Sequence, residues 1–406
     1  MHSAADIRMA QAAIHTQRMD DTQRPAVSRM GQNFAPYPVL VLAKTITDRL
    51  RITQDFISRQ CSALRYHACT FLQPLLKYAT YPVTSTMRLG RISKMNSSQT
   101  LKAQSILVIG AGELGMPVLR NLARKAKDHE GATISVLLRA ATVESSDPVK
   151  QRDVSEIRAL GIEIVPGDIL ATSISELAAV FAPFDTVIGC AGFSAGRNTP
   201  LKLAKAALEA NLKRYFPWQF GVDFDVIGRG SPQDLFDAQI DVRELLRAQD
   251  KTDWVIISTG MFTSFLFEPI FEVVDLEKNV VNALGSLDTE VTLTTPNDIG
   301  ALTAEVVFAH PTIRDEIVYL AGDTVTYGEV ADKLQTVLGR PFTKSEWTVP
   351  QLKSELAQDP DNHIKKYRAV FAEGKGVAWP KRDSFNERNG LTVKTAEEWI
   401  RENLRY

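Results

Sequence analysis

The chain has 406 residues, 44% hydrophobic and 23% charged, enough material for one large or two ordinary cores. No apolar run approaches the ~20 residues needed to cross a bilayer, and three cysteines (Cys61, Cys69, Cys190) fit neither a disulfide framework nor a zinc spacing, so a reducing, cytoplasmic setting is expected. The net charge of −1 conceals an asymmetry: residues 1–100 carry 13 Lys/Arg against 5 Asp and no Glu, and the acidic excess lies in the remainder.

Residues 1–100 lack a sustained periodic pattern and read as a basic extension outside the fold, disordered or loosely helical. An Arg-rich, Glu-free leader is also compatible with a transit peptide, although five aspartates weigh against one. A nucleic-acid-binding arm would need a compact Lys/Arg cluster with interleaved aromatics, which this segment lacks. A start of the working protein at Met95 would leave a short polar lead before the first predicted strand.

From Ser105 the pattern changes. "SILVIG" (105–110) is a β-branched run suited to a strand buried on both faces. Gly110, Ala111, Gly112, Glu113, Leu114 and Gly115 follow, and then the helical pattern "MPVLRNLARKA". A G-x-G-x-x-G between a buried strand and an amphipathic helix is the dinucleotide-binding arrangement. The first glycine makes the turn, the second admits a pyrophosphate, the third allows close packing, and the helix start offers free N–H groups. The next strand, "TISVLLR" (133–139), ends in Arg139, where an NAD site would carry a carboxylate for the ribose 2′-hydroxyl. An arginine there pairs with a 2′-phosphate, so NADP(H) is the expected cofactor.

The alternation continues with "IEIVPGD" (162–168), a helix capped by Ser173 and Glu176, and "FDTVIGCAGF" (184–193), whose small terminal residues would let a nicotinamide come close. "PLKLAKAALEANLK" reads as a helix, "RYFPWQFG" (214–221) as a strand end, "LFDAQIDVRELL" (235–246) as an amphipathic helix and "DWVIIS" (253–258) as a strand. Six strands separated by helices specify an α/β, Rossmann-type doubly wound parallel sheet, with ligand across the strand C-terminal ends. Within "LFDAQIDVRELL", Gln239 interrupts the apolar stripe one turn before Arg243 and needs hydrogen-bond partners. Asp223 and Asp225 in "GVDFD" fall at the ligand-binding end but also suit a turn, and Cys190 reads as a small core residue beside the cofactor. Met261, Phe262, Phe265 and Phe267 suit the wall of an apolar pocket or the core.

Farther on, "EVTLTTPNDIGALTAEVVFAH" predicts a strand and a helix with Pro296 in its first turn. "EIVYLAG" is a strand, Thr326 and Glu329 cap the next helix, and a capped amphipathic helix follows Thr395. The six histidines show no metal-ligand spacing and no metal is expected. The predicted division is a 1–100 extension, a 101–285 NADP-binding domain and a 286–406 substrate-side region.

"VIGAGELG", Arg139, "KRYFPWQFGVD", "LFDAQIDVREL" and "WVIISTGMF" stand in the order and spacing of isoflavone reductase-like proteins, the NmrA-like atypical short-chain dehydrogenases, which the chain resembles over roughly Leu101 to Trp347. The resemblance implies an NADPH-dependent reductase of a small phenolic, aromatic or polyketide-like carbonyl or enone in secondary metabolism. Some members are non-catalytic NADP(H)-sensing regulators with a protein partner. It also implies a catalytic lysine at the position of Gln239, a cofactor-holding arginine at Arg243 and a glutamate at the position of Gln219. An amide is no general acid or base at neutral pH, but it donates hydrogen bonds. Gln239 and Trp218 are therefore the candidate catalytic donors toward a substrate oxyanion. Gly110, Gly112, Glu113, Leu114, Gly115, Arg139 and Arg243 are the candidate NADPH contacts. A small molecule is the expected substrate, with no nucleic-acid or membrane partner.

Overall fold

The computed structural model describes residues 104–192 and 196–404. The expectations for residues 1–100, a start at Met95 included, lie outside the described residues.

The strands are β1 (Ser105–Ile109), β2 (Thr133–Leu138), β3 (Glu163–Pro166), β4 (Thr186–Gly189), β5 (Arg214–Phe216), β6 (Asp253–Ser258), β7 (Met261–Phe262), β8 (Val274–Asp275), β9 (Val280–Leu284), β10 (Glu290–Thr294), β11 (Glu316–Tyr319), β12 (Asp323–Thr326) and β13 (Thr343–Trp347). Seven of them form one parallel sheet in the order β11-β6-β5-β4-β1-β2-β3. The sequence pattern accounts for six of these. The seventh, "EIVY", is predicted as a strand but not as part of this sheet. It pairs with β6 in the register Ile317 to Ile256 and Val318 to Ile257, extending the sheet with residues that follow position 286.

The long helices about this sheet are α1 (Gly115–Lys125), α2 (Pro148–Ala159), α3 (Ile174–Phe181), α4 (Thr199–Glu209), α5 (Leu235–Arg247) and α6 (Pro296–Val307). Alternate residues of β1 point to opposite faces, as a two-sided strand requires. Ile106 and Val108 join a core containing Leu119 and Leu122 of α1 and Ile299 and Leu302 of α6. Leu107 and Ile109 join the opposite core, with Phe181 of α3, Leu203 of α4 and Val242 and Leu246 of α5. The helix starts match the sequence signals. Ser173 and Glu176 form a reciprocal capping box, and Thr295 caps α6 with Pro296 at its first position.

Residues after β6, joined by Val222, Phe224, Phe236 and Ile240, build a third core around two small three-stranded sheets, β12-β10-β7 and β13-β9-β8. Met261 and Phe267 are buried in it, and Phe265 packs on Phe271 and Tyr367, so this aromatic run serves packing. Thr326 and Glu329 cap helix α7 (Tyr327–Leu338) by a second capping box, and Thr395 and Glu398 do the same for the helix Ala396–Asn403. His129 stacks on Phe308, with ring centres 4.3 Å apart. Among the described residues no helix is long and apolar enough to cross a membrane, and no group of three His, Cys, Asp or Glu could hold a metal.

Helices α1 and α6 approach so closely that a Cβ on Gly300 would stand 2.5 Å from the carbonyl carbon of Pro117. Backbone cannot yield as a side chain can. Gly300→Ala is therefore expected to destabilise the fold by about 1–3 kcal/mol, read as a lower midpoint in chemical denaturation. An unchanged midpoint would show that the two helices separate freely.

Candidate functional site: the crevice at the strand ends

The C-terminal ends of β1, β4 and β5 line one crevice, and the glycine loop forms one wall. Gly110 sits at φ +91°, a conformation that L side chains rarely adopt, and its N–H donates to the Leu137 carbonyl at 3.2 Å. Among the described residues nothing lies within 4 Å of the place a Cβ on Gly112 would occupy, which leaves the space a pyrophosphate needs. A Cβ on Gly115 would come within 2.2 Å of the Gly110 carbonyl oxygen and 3.5 Å of the Cys190 side chain. The third glycine thus lets α1 start directly against the loop and the end of β4. No side chain caps α1, but Met116 N–H donates to the Gly112 carbonyl at 3.0 Å and Pro117 has no N–H, so the cradle rests on the glycine loop itself. This cradle fits a dinucleotide pyrophosphate.

The other predicted contacts divide. Leu114 is buried in the core and offers the crevice only backbone. Glu113 is exposed, and its Oε1 accepts a hydrogen bond from Ser264 Oγ at 3.1 Å. Arg139 is exposed just beyond β2, and its guanidinium has no ion pair or hydrogen bond among the described residues. A free cation at that point fits a 2′-phosphate.

At the end of β4, Cys190 is buried and burial pushes its thiol well above the ordinary range, which suits packing and not nucleophilic attack. The small residues here give less open room than the sequence suggests. A Cβ on Gly192 would lie 3.2 Å from the Trp218 indole, and one on Gly189 3.0 Å from the Trp218 backbone nitrogen. Part of the space is therefore filled by Trp218, which is half-buried. A hollow of about 340 Å³ lies elsewhere, along edge strand β3 beside Ala140, Val143, Ile164 and Pro166.

Beneath the crevice, three residues after β5 and two on α5 form a linked group. Gln239 and Arg243 share one face of α5, four residues apart, and both are 0% exposed. Gln219, equally buried, donates from Nε2 to the Gln239 carbonyl at 2.8 Å and accepts from Arg243 Nε at 2.7 Å. Arg243 Nη1 donates to Asp223 Oδ1 at 3.2 Å and Asp225 Oδ2 at 2.8 Å, and the guanidinium lies 5.2 Å from the centre of the Phe224 ring. Among the described residues the Gln239 side-chain amide has no partner at either end, and neither does Arg243 Nη2. The two α5 residues thus lie under protein atoms and present no surface to the crevice. "GVDFD" does shape a turn, since Asp223 caps the short helix Phe224–Ile227, but its carboxylates also neutralise Arg243. A partner that sequence reasoning missed is Tyr319, whose hydroxyl donates to Asp223 Oδ2 at 2.7 Å. Its phenol is pushed up by burial and then by the Asp223 carboxylate, so it stays protonated. A polar aromatic ending the otherwise apolar "EIVYL" was the available signal. For Ser264 there was none.

Asp225 anchors the outer side of this group, taking both Arg247 nitrogens at 3.0 and 2.6 Å. The Arg247 hydrogen bonds, with Arg243 behind them, hold its carboxyl below the usual carboxylate range against partial burial. A depressed folded-state value stabilises the fold above the unfolded value of ~3.9 and ceases to do so as pH falls through the folded one. Because the side chain is about a third exposed, screening reduces the effect. Asp225→Asn should cost roughly 1 kcal/mol at pH 7 and nearly nothing at about pH 2, measured by urea denaturation. A loss independent of pH would assign Asp225 a purely steric role.

Residues 102–399 match the family model described as the NmrA-like family. An "NmrA-like family domain-containing oxidoreductase" from Gibberella moniliformis (strain M3125 / FGSC 7600) is 45% identical over 301 residues, covering 74% of this chain and 98% of that protein. The Arabidopsis thaliana "Isoflavone reductase homolog P3" is 25% identical over 68% of this chain and 88% of its own length. Among solved structures, the leucoanthocyanidin reductase–NADPH binary complex from Vitis vinifera superposes with a TM-score of 0.62 at 18% identity, over 73% of this chain and 98% of that one, a likeness of fold. With a match across most of its length and a relative this similar, the chain belongs to the NmrA-like family.

Proposed function

We propose that the protein is an NADPH-dependent reductase of a small aromatic or polyketide-like carbonyl or enone, acting in secondary metabolism in the cytoplasm. The observation that carries this reading is the glycine cradle combined with the unpaired guanidinium of Arg139 at the end of β2. The oxidoreductase relative and the NADPH complex of a similarly folded reductase support it. NADPH, when bound, supplies a hydride to the substrate. The loop holds the pyrophosphate through backbone N–H groups, and Arg139 takes the 2′-phosphate. Trp218, half-buried between the β4 and β5 ends, offers an indole N–H toward a developing oxyanion. Gln239, standing where the family's lysine would, adds its amide only when the cover over α5 shifts, because it is fully buried. Water or the substrate itself then provides the last proton.

A second reading, a non-catalytic NADP(H) sensor acting on a protein partner, is favoured by one observation. Arg243 is sealed from the crevice with its charge engaged by Asp223 and Asp225, so the family's cofactor-holding arginine does structural work here. Turnover of NADPH with a panel of enones and ketones supports the reductase, and tight binding without turnover across the panel supports the sensor. Arg139→Ala should weaken NADPH by about 10- to 100-fold in a titration while leaving NADH nearly unchanged. Equal loss of both would remove Arg139 from the 2′-phosphate. Gln239→Leu removes an unpartnered buried amide, so the fold should gain about 1–3 kcal/mol. Turnover should fall at least about tenfold, and an unaltered turnover excludes Gln239 as an oxyanion donor.

A further inference from the structure

The strand order β6-β5-β4-β1 places the segment after β6 three strand positions from the glycine loop, a span of about 14 Å at ordinary inter-strand spacing. A side-chain hydrogen bond nevertheless joins the two. Ser264, in the short helix Thr263–Leu266 that follows β7, donates to the Glu113 carboxylate at 3.1 Å, and the partners are 151 residues apart in sequence. The strands lying between them, β4 and β5, lead into Cys190, Gly192 and Trp218. The bond thus links the glycine loop to the segment after β7 across the sheet positions of β4 and β5.

We propose that Glu113 and Ser264 form a clasp that sets the rate of cofactor exchange, an inference that rests on the NADP(H)-binding reading above. A carboxylate beside a pyrophosphate site is electrostatically unfavourable for an anionic ligand, and helix α1 and Gly112 would serve that ligand equally well with a neutral residue at 113. What Glu113 adds is an acceptor on the rim of the loop, within reach of the far wall. With the bond made, a nucleotide lying across the ends of β4 and β5 is held beneath it, and release requires the two walls to part. Ser264 is a positioning residue for this closure and takes no part in chemistry.

The test uses the full chain and NADPH itself, with release followed by stopped-flow nucleotide fluorescence after displacement by excess NADP+. Ser264→Ala should speed NADPH release about threefold to tenfold, with its thermal midpoint unchanged. Glu113→Ala should speed release at least as much. The double variant should release no faster than Glu113→Ala, because both changes break the same bond. Glu113→Gln keeps an acceptor oxygen while removing the charge, so its release should be as slow as wild type or slower, an outcome that a merely structural carboxylate would not give. Release from Ser264→Ala at the wild-type rate, or single effects that multiply in the double variant, overturns the clasp alone. Failure of the wild-type protein to bind NADPH overturns the cofactor reading and the clasp with it.

Discussion

The burial of one guanidinium constrains the whole crevice-side half of the molecule. Arg243 has no exposed surface, and withdrawing a charge from water costs several kcal/mol unless hydrogen bonds and counter-charges replace the lost solvent. Three groups do so, and each comes from the segment after β5: the Gln219 amide, the Asp223 carboxylate and the Asp225 carboxylate. Their attachment to a residue on α5 fixes how that segment leaves the sheet. Asp223 in turn accepts from Tyr319 at the end of β11, so the seventh strand is tied to the same charge. Helix α5, the β5 exit and the last strand of the sheet therefore have their positions set by one cation.

The cradle at the other side of the crevice depends on the opposite property, the lack of side chains. Gly115 must be bare because the Gly110 carbonyl occupies the place of its Cβ, and Gly110 must turn where other residues are strained. Gly112 is constrained by neither, and among the described residues nothing lies within 4 Å of where its Cβ would stand. Steric need accounts for the first and third glycines without reference to any ligand. The second is the residue whose bareness the fold does not use, which is why the space over it is the physical argument for a bound pyrophosphate.

Much of this was legible from residue patterns. Two-sided apolar runs marked β1, β2 and β6, and the Ser173, Thr326 and Thr395 capping boxes marked helix starts, because both signals are local. The glycine loop was legible for the same reason. Membership of β11 in the main sheet was not, since "EIVY" looks alike in either sheet and only tertiary pairing with β6 decides. Gln219 was misleading. Compared with a family glutamate it reads as a lost charge, whereas in place it must donate to the Gln239 carbonyl and accept from Arg243 at once. An amide does both, whereas an ionised carboxylate has no donor to offer. This two-sided bonding is tertiary, and no linear pattern displays it.

That two-sided bonding also bears on Gln239. Its backbone carbonyl is engaged, but its side-chain amide, wholly enclosed, bonds to nothing among the described residues. A buried unpaired amide costs about 1–3 kcal/mol relative to an apolar residue of similar size, and leucine or methionine at this position would continue the stripe of α5 without that cost. Packing alone therefore gives no reason for glutamine here. The neighbouring Arg243 Nη2 is likewise without a partner, so donors and an acceptor that the folded chain does not satisfy lie on one face of one helix, under the ends of β4 and β5. A group that reaches them from the crevice side, whether substrate oxygen, cofactor amide or ordered water, recovers the energy the fold has forgone.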